Sequence, residues 1–530
     1  MRIKSKKIIS LVAAFSSALL CLSSVSGCGK EEEKKETVSY KFETIYTDNT
    51  TKTLEQYDAD NPTKNGEVSY QVEASVGNKN YMRICLDTDV NLVGYITYTN
   101  TQNSEESNKE KFYIEAGTEE FTTFLDAYRD GAFGTYEKTI QSVSLQNVDT
   151  TKAGTVTLKS IDFSDRTYDP DEMMYIDDGT LRVGTSLGFG GAITYIARIN
   201  ANIKEYIDAE GNVHIGRLLE EDNVDLISET SNLVNIYDLG REIQQSFYWP
   251  VKAQHGYNPT SEQKYPGDLN YNPIQCGSAG SVGPQIVDYY CTEDEIYVKA
   301  YGQDWYLVNQ VDPTYFETWL SFGSDGVLKV KNKITNFTQF VNTEGLEFVR
   351  QESPAFYSVY PLDYFYAETK QGTIFDNTLG EIGTVGYKSQ LKDSVSGGYY
   401  YRLSSEQVKD DWVAFVSEDK FGLGIYNPSA NYFIASSGVK STSYNEKNNQ
   451  LTHDDFYEDD YSSYIPSCYA YSYSYMNTAI YCQMEDFTPL EFSYALFAGD
   501  VAEMRSAFKQ LQESGEMVAE DIAWPTREAE

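Results

Sequence analysis

From about residue 40 to residue 500 the chain is a succession of short apolar stretches that stop after five to ten residues, and this rhythm restricts it to sheets. Val68–Val76, Val93–Thr99, Thr155–Ile161, Ile296–Tyr301, Val327–Ile334 and Trp412–Val416 are β-branched or aromatic and often alternate with polar residues. That pattern buries one face of a strand and leaves the other for solvent or a second layer. Turn signals separate the stretches: Asp-Gly at 130–131, 178–179 and 325–326, and Gly-Gly at 190–191 and 397–398. Such dipeptides supply the backbone angles that tight turns demand. Helical spacing emerges near the end, where Val501, Met504, Phe508 and Leu511 recur at three to four residues. Asp500 reads as the N-cap of this helix and Gly515 as its stop.

The acidic stretch Asp165–Asp178 divides the run of strands. Residues 40–165 are long enough for one β-sandwich, read as jelly-roll-like, with Phe121–Phe124 and Ala132–Phe133 as its irregular stretches. Residues 175–510 hold too many strands for an ordinary sandwich and read as a larger antiparallel one. A tail, 511–530, follows the short C-terminal helix. The fold class expected is therefore all-β.

The start of the chain has a different character. Arg2, Lys4, Lys6 and Lys7 precede an apolar run from Ile8 to about Leu22, then Val25-Ser26-Gly27-Cys28. A basic start, a short apolar segment and small residues before a cysteine resemble a bacterial lipoprotein signal. Residues 1–27 would be removed and Cys28 would carry the lipid, anchoring the protein to the extracytoplasmic side of a cell membrane. Residues 28–39, charged and poor in apolar side chains, read as a tether.

Charge excludes some partners. Four of the 42 basic residues leave with the signal, so 38 face 80 acidic ones, a net −42. Such a surface repels nucleic-acid phosphates and anionic head groups. No Walker loop, nucleophile elbow or dinucleotide fingerprint is present, so no cofactor is expected. No CxxC pair or zinc-spaced His/Cys cluster occurs, and the 165–178 stretch lacks the spacing of a calcium loop, so no metal is expected either. Beyond Cys21 and Cys28, five cysteines remain: Cys85, Cys276, Cys291, Cys468 and Cys482. Export permits 276–291 and 468–482 disulfides, but free buried thiols are expected.

Chemistry concentrates between residues 188 and 352. Arg241, Gln245, Asn272 and Gln275 carry planar donors and acceptors and lie among aromatics. Sugar sites need this mixture, since hydroxyls require paired donors and acceptors and the apolar ring face requires an aromatic. Trp305 is a candidate stacking ring, and His255 is the histidine nearest the polar group. Among many carboxylates Asp304 and Glu352 stand out, each beside a large aromatic or an amide in an apolar run, where burial would raise a carboxyl pKa and suit a general acid.

The segments Leu187-Gly188-Phe189-Gly190-Gly191-Ala192-Ile193, Gly240-Arg241, Glu317-Thr318-Trp319-Leu320, Arg350-Gln351-Glu352-Ser353-Pro354-Ala355 and Leu496-Phe497-Ala498-Gly499-Asp500 together resemble the galactose-mutarotase-like supersandwich superfamily. The resemblance covers roughly residues 175–510. It implies a large antiparallel β-sandwich that binds carbohydrate, as sugar epimerases and the sandwich domains of glycosidases and polysaccharide lyases do. Epimerases of this kind use a histidine acid and a glutamate base, and His214, His255 and His453 stand in no such motif. A lyase is disfavoured by the acidic surface. Hydrolysis, with two carboxylates drawn from Glu352, Asp304 and Glu317, is the expected activity on a neutral oligo- or polysaccharide. The alternatives are a glycan-binding lipoprotein without catalysis and a structural envelope protein.

Overall fold

The computed structural model describes residues 40–519 apart from 62–64, 126–135, 200–202, 208–212, 218–231, 236–241, 249–271, 278–282, 306–310, 324–325, 340–348, 360–361, 363, 377–399, 438–472 and 483. Lys41 onward forms one compact unit. It is an all-β structure of antiparallel sheets with a short C-terminal helix. Among the described residues, no helix is long and apolar enough to cross a membrane.

Alternation builds the N-terminal sandwich. In the strand Tyr81–Thr88, Met82, Ile84 and Leu86 are buried while Arg83, Cys85 and Asp87 face the other way. This strand and Glu120–Phe124, Glu43–Thr47 and Thr51–Leu54 gather around Gly154–Ser164 in one sheet. Val68–Gly77, Lys138–Asn147, Leu92–Asn100 and Asn103–Ile114 form the second sheet. The apolar faces of the two sheets meet in one core, which also takes in Tyr301, Tyr315 and Phe337 from later in the chain. Phe121–Phe124, expected to be irregular, lies in a regular strand, because Phe121 and Phe124 both find seats in buried clusters. Residues 132–133 lie outside the described residues.

A ten-stranded central sheet and a five-stranded flanking sheet follow. The central sheet runs in the order Pro273–Ile274, Glu295–Asp304, Val311–Phe322, Leu328–Asn336, Leu490–Asp500, Phe421–Tyr426, Val408–Val416, Tyr364–Thr369 and Gly372–Asp376, with Ile286–Cys291 added beside Glu295–Asp304. The flanking sheet runs Ile243–Gln244, Val349–Val359, Tyr473–Cys482, Tyr432–Ser437 and Tyr400–Ser404. Val298, Phe316, Val330, Leu423 and Leu496 of the first meet Phe356, Leu403, Phe433, Met476 and Ile480 of the second in the largest core.

The far side of the central sheet is covered in two places. The N-terminal sandwich packs on one part. The helix Val501–Ser514 packs on another, through Met504, Phe508 and Leu511 against Tyr366, Trp412 and Tyr426. Burying a side chain such as Phe508 contributes about 1.5–3 kcal/mol. Asp500 accepts from the backbone of Ala502 and Glu503 while Glu503 accepts from that of Asp500, a capping box that fixes where the helix begins. A Cβ on Gly424 would stand 2.9 Å from the Met504 sulfur, so glycine there lets the helix approach.

Two polar knots fasten the sandwich to the central sheet. The first is centred on Arg166, which is buried just beyond the last N-terminal strand. It donates to Asp288 at 2.9 Å and to the carbonyl of Tyr289 at 2.7 Å, and its guanidinium lies 4.6 Å from the Tyr81 ring centre and 4.3 Å from that of Tyr289. Asp288 also accepts from Tyr81 and Thr122. The second knot is centred on Asp486, which accepts from Asn336 and from both the backbone N–H and hydroxyl of Thr338, at 3.0 Å each for the latter two. Lys111 of the sandwich donates to the Thr338 carbonyl at 2.9 Å.

Burial pushes the Asp486 carboxyl up to about 6 against the lowering pull of its Thr338 bonds and of Lys111. The folded protein therefore holds this proton more tightly than the unfolded chain. The resulting stabilisation is full below the ordinary carboxylate range and is lost as pH rises through about 6. Asp486→Asn should flatten the fall in stability between about pH 4 and 7, read as denaturant midpoints at each pH. An unchanged slope would remove Asp486 as its source.

Candidate functional site

The flanking sheet has two unlike faces. Phe356, Met476 and Ile480 enter the core. Their neighbours in sequence point outward by strand alternation, which puts Tyr357, Tyr475, Asn477, Tyr432, Ile434 and Arg402 on the opposite face. The registers Tyr357↔Tyr475, Asn477↔Ile434 and Ile434↔Arg402 set these residues side by side across four strands. The Tyr357 and Tyr475 ring centres are 4.6 Å apart, and the Arg402 guanidinium lies 4.4 Å from that of Tyr432.

Glu352 joins this face through an irregularity. The pairing of Val349–Val359 with Tyr473–Cys482 shifts between Glu352 and Ala355, around the cis Ser353-Pro354 bond. Asn427 and Thr478 donate to the Ser353 carbonyl at 3.0 and 2.7 Å and hold the bulge in place. Bulges re-aim side chains in this way. Half-buried Glu352 thereby receives Asn477 Nδ2 at 3.4 Å and the Ser246 hydroxyl at 3.5 Å. Asn477 Nδ2 also donates to the Tyr475 hydroxyl at 2.6 Å. Burial, then the Glu352 charge, then Tyr357 and Tyr248 hold the Tyr475 phenol well above its ordinary pKa, so it remains protonated at neutral pH.

The expected site residues divide between faces. Ser246 bridges Ile274, and Ile274 pairs with Gln303, so the outer face continues from Glu352 toward the Pro273–Ile274 strand. Alternation puts Asn272, Ile274 and Cys276 on that face. Trp305 packs with Ile274 and Cys276, and its backbone N–H reaches the Asn272 carbonyl at 2.9 Å. The Asn272 Oδ1 is buried and lacks a hydrogen-bond partner among the described residues.

Gln245 and Gln275 turn the other way. Both are fully buried, and both donate to the Thr318 hydroxyl, at 2.7 and 2.8 Å. Gln275 also donates to the Gly190 carbonyl and accepts from the Gln245 backbone. Both amide atoms of Gln275 thus have partners in the interior, whereas Gln245 Oε1 has none among the described residues. The Gly190-Gly191 pair serves the same packing: φ is +61° and +85°, and a Cβ on Gly190 would lie 2.5 Å from the Gln275 carbonyl.

The three candidate carboxylates have different surroundings. Glu352 is on the outer face of the flanking sheet. Asp304 is fully buried opposite Pro273, on the side of Gln275. Glu317, 7% exposed, accepts from the Tyr297 hydroxyl at 2.8 Å on the far face of the central sheet, with Lys299 at 4.0 Å. Arg241, His255 and Cys28 lie outside the described residues. Cys276 is buried and Cys291 exposed, and the 276–291 disulfide does not form. Cys468 lies outside the described residues. In the acidic divider, Asp169 and Asp178 accept from backbone N–H groups of their own turns. Among the described residues no cluster of three metal-ligating side chains occurs.

Tyr475 and Asn477 escaped sequence reading. The run Tyr473-Ser474-Tyr475-Met476-Asn477-Thr478 alternates with period two, which was a signal for the strand, but its polar face has no motif of its own.

No family model matches the chain, and no curated protein sequence matches it. It aligns with several solved structures. A galactose mutarotase related enzyme from Lactobacillus acidophilus is 10% identical over 62% of this chain and 97% of that one, with a TM-score of 0.30. An alpha-mannosidase from Enterococcus faecalis is 8% identical over 89% of this chain and 44% of that one, at 0.29. A putative aldose 1-epimerase from Klebsiella pneumoniae is 10% identical over 87% of this chain and 100% of that one, at 0.30. At these TM-scores no residue is transferred, and the antiparallel sandwich rests on the sheets themselves.

Gln275→Leu should cost about 1–3 kcal/mol, because it strands the Gly190 carbonyl and the Gln245 N–H in the interior. It should leave ligand affinity unchanged. Denaturant unfolding and ligand titration would separate the two effects, and a loss of affinity at full stability would return Gln275 to the site.

Proposed function

We propose that the protein is a lipid-anchored extracytoplasmic protein that binds and processes a neutral glycan on the outer face of the flanking sheet. The observation that carries this reading is the joining of Glu352, Asn477 and Tyr475 by hydrogen bonds within a row of aromatic side chains. Hydroxyls of a sugar can be met by the carboxylate, amide and phenol, and its apolar ring face by tyrosine. A carboxylate at the centre disfavours anionic sugars, in keeping with the acidic charge of the whole chain.

A second reading is binding without turnover. It is favoured by the full burial of Asp304 and by the Tyr297 hydroxyl that holds Glu317, since hydrolysis by two of these carboxylates would require both to flank one bond. The mature protein should be screened against a panel of neutral polysaccharides and oligosaccharides, scoring binding and reducing-end release. For a hydrolase, Glu352→Gln should abolish release and spare binding. For a binding protein, the same change should weaken binding about tenfold or less, with no product from either form. Failure of the protein to bind any glycan would remove both readings.

The anchor is tested separately. The mature chain should begin at Cys28, carry a lipid mass and partition with membranes. Cys28→Ala should abolish both, and an intact-mass terminus elsewhere without lipid would overturn the anchoring proposal.

A further inference from the structure

We infer that Tyr475 is the proton donor of the Glu352 site and that Asn477 is the positioning residue that sets the pair; this rests on the glycan-processing reading above. The direction of the hydrogen bonds assigns the roles. One amide nitrogen, Asn477 Nδ2, donates to Glu352 Oε1 at 3.4 Å and to the Tyr475 oxygen at 2.6 Å. Turning the amide over would put its carbonyl oxygen against a carboxylate, so its orientation is fixed by charge. The phenol oxygen is thus an acceptor toward Asn477, and its own proton is directed elsewhere. Glu352 receives donors and acts as the anion.

The geometry also selects the kind of reaction. Two oxygens hung from one nitrogen at these distances lie within about 6 Å of each other. Pairs about 5–5.5 Å apart suit double displacement, whereas a water held between acid and base needs about 6.5–9.5 Å. In the first step a Glu352 oxygen bonds to the anomeric carbon as the bond to the leaving oxygen breaks, and the Tyr475 proton passes to that oxygen. In the second step water attacks the anomeric carbon, its proton returns to the Tyr475 phenolate, and the bond to Glu352 breaks. Both side chains end as they began. The Asn477 Oδ1, on a side chain 2% exposed, lacks a partner among the described residues, and a sugar hydroxyl would satisfy it.

Among the described residues, Tyr357 on the neighbouring strand and Tyr248 beside Ser246 bear on Tyr475. Neither is a carboxylate, so an added one should register in the pH profile. The experiment uses the mature protein and whichever neutral glycan of the panel it turns over. Tyr475→Phe should lower kcat on that glycan by 10²–10⁴-fold and leave KM within ~3-fold. The same variant should retain first-step activity on an aryl glycoside whose leaving group needs no proton, an effect that general loosening of the fold would not produce. Asn477→Asp should raise the acidic limb of the pH–rate profile by about one unit, because the new carboxylate opposes ionisation of Glu352. Turnover by Tyr475→Phe within ~3-fold of the unaltered protein, or equal losses on both substrates, would overturn the inference while the processing reading stands. An unmoved acidic limb would overturn the assignment of Asn477. Absence of turnover by the unaltered protein on every glycan would overturn the processing reading and this inference together.

Discussion

The guanidinium of Arg166 is the point at which the two halves of the molecule become one. A buried cation requires compensation on several sides at once. Asp288 supplies the charge, the Tyr289 carbonyl a second acceptor, and Tyr81 and Tyr289 the ring faces. Tyr81 belongs to the first sandwich, Arg166 to the segment leaving it, and Asp288 and Tyr289 to the edge of the central sheet. Sandwich and sheet are thus registered against each other by directional bonds, where apolar packing alone would tolerate sliding. The Asp486 knot repeats the device with an acid at its centre.

That registration has a consequence for the site. The far side of the central sheet is occupied by the sandwich and the helix, and its near side by the main core. The flanking sheet's other face carries polar and aromatic side chains, with Tyr357 and Tyr475 in ring contact and Asn477 2% exposed. The bulge at Ser353-Pro354 then adds Glu352 to that face, and Asn427 and Thr478 fix the bulge from behind. Support from a second layer of polar residues is what holds a reacting group in one geometry.

The sheet architecture was legible because alternation is a local property. Val68–Val76, Val93–Thr99 and Ile296–Tyr301 each fall within an observed strand, and the final helix begins at the residue its cap indicates. The site was legible only in part. Glu352 and Trp305 were visible as an acid and a ring in apolar surroundings. Gln275 looked the same as a ligand-binding amide, because an amide among aromatics has one appearance in sequence whether it meets a sugar or a buried carbonyl. Only register decides, since adjacent residues of a strand face opposite ways. Asn477 and Tyr475 were hidden for the converse reason: a tyrosine-rich strand suggests nothing beyond strand propensity until its partner across the ladder is known.

The strand Leu490–Asp500 lies in the interior of the central sheet, between Leu328–Asn336 and Phe421–Tyr426. It is also the last of the described strands in chain order. Until it arrives, the sheet consists of two pieces, each with an open edge of unpaired backbone, and neither can close the main core. Contacts spanning more than 150 residues of sequence must therefore form late and together, which makes folding slow.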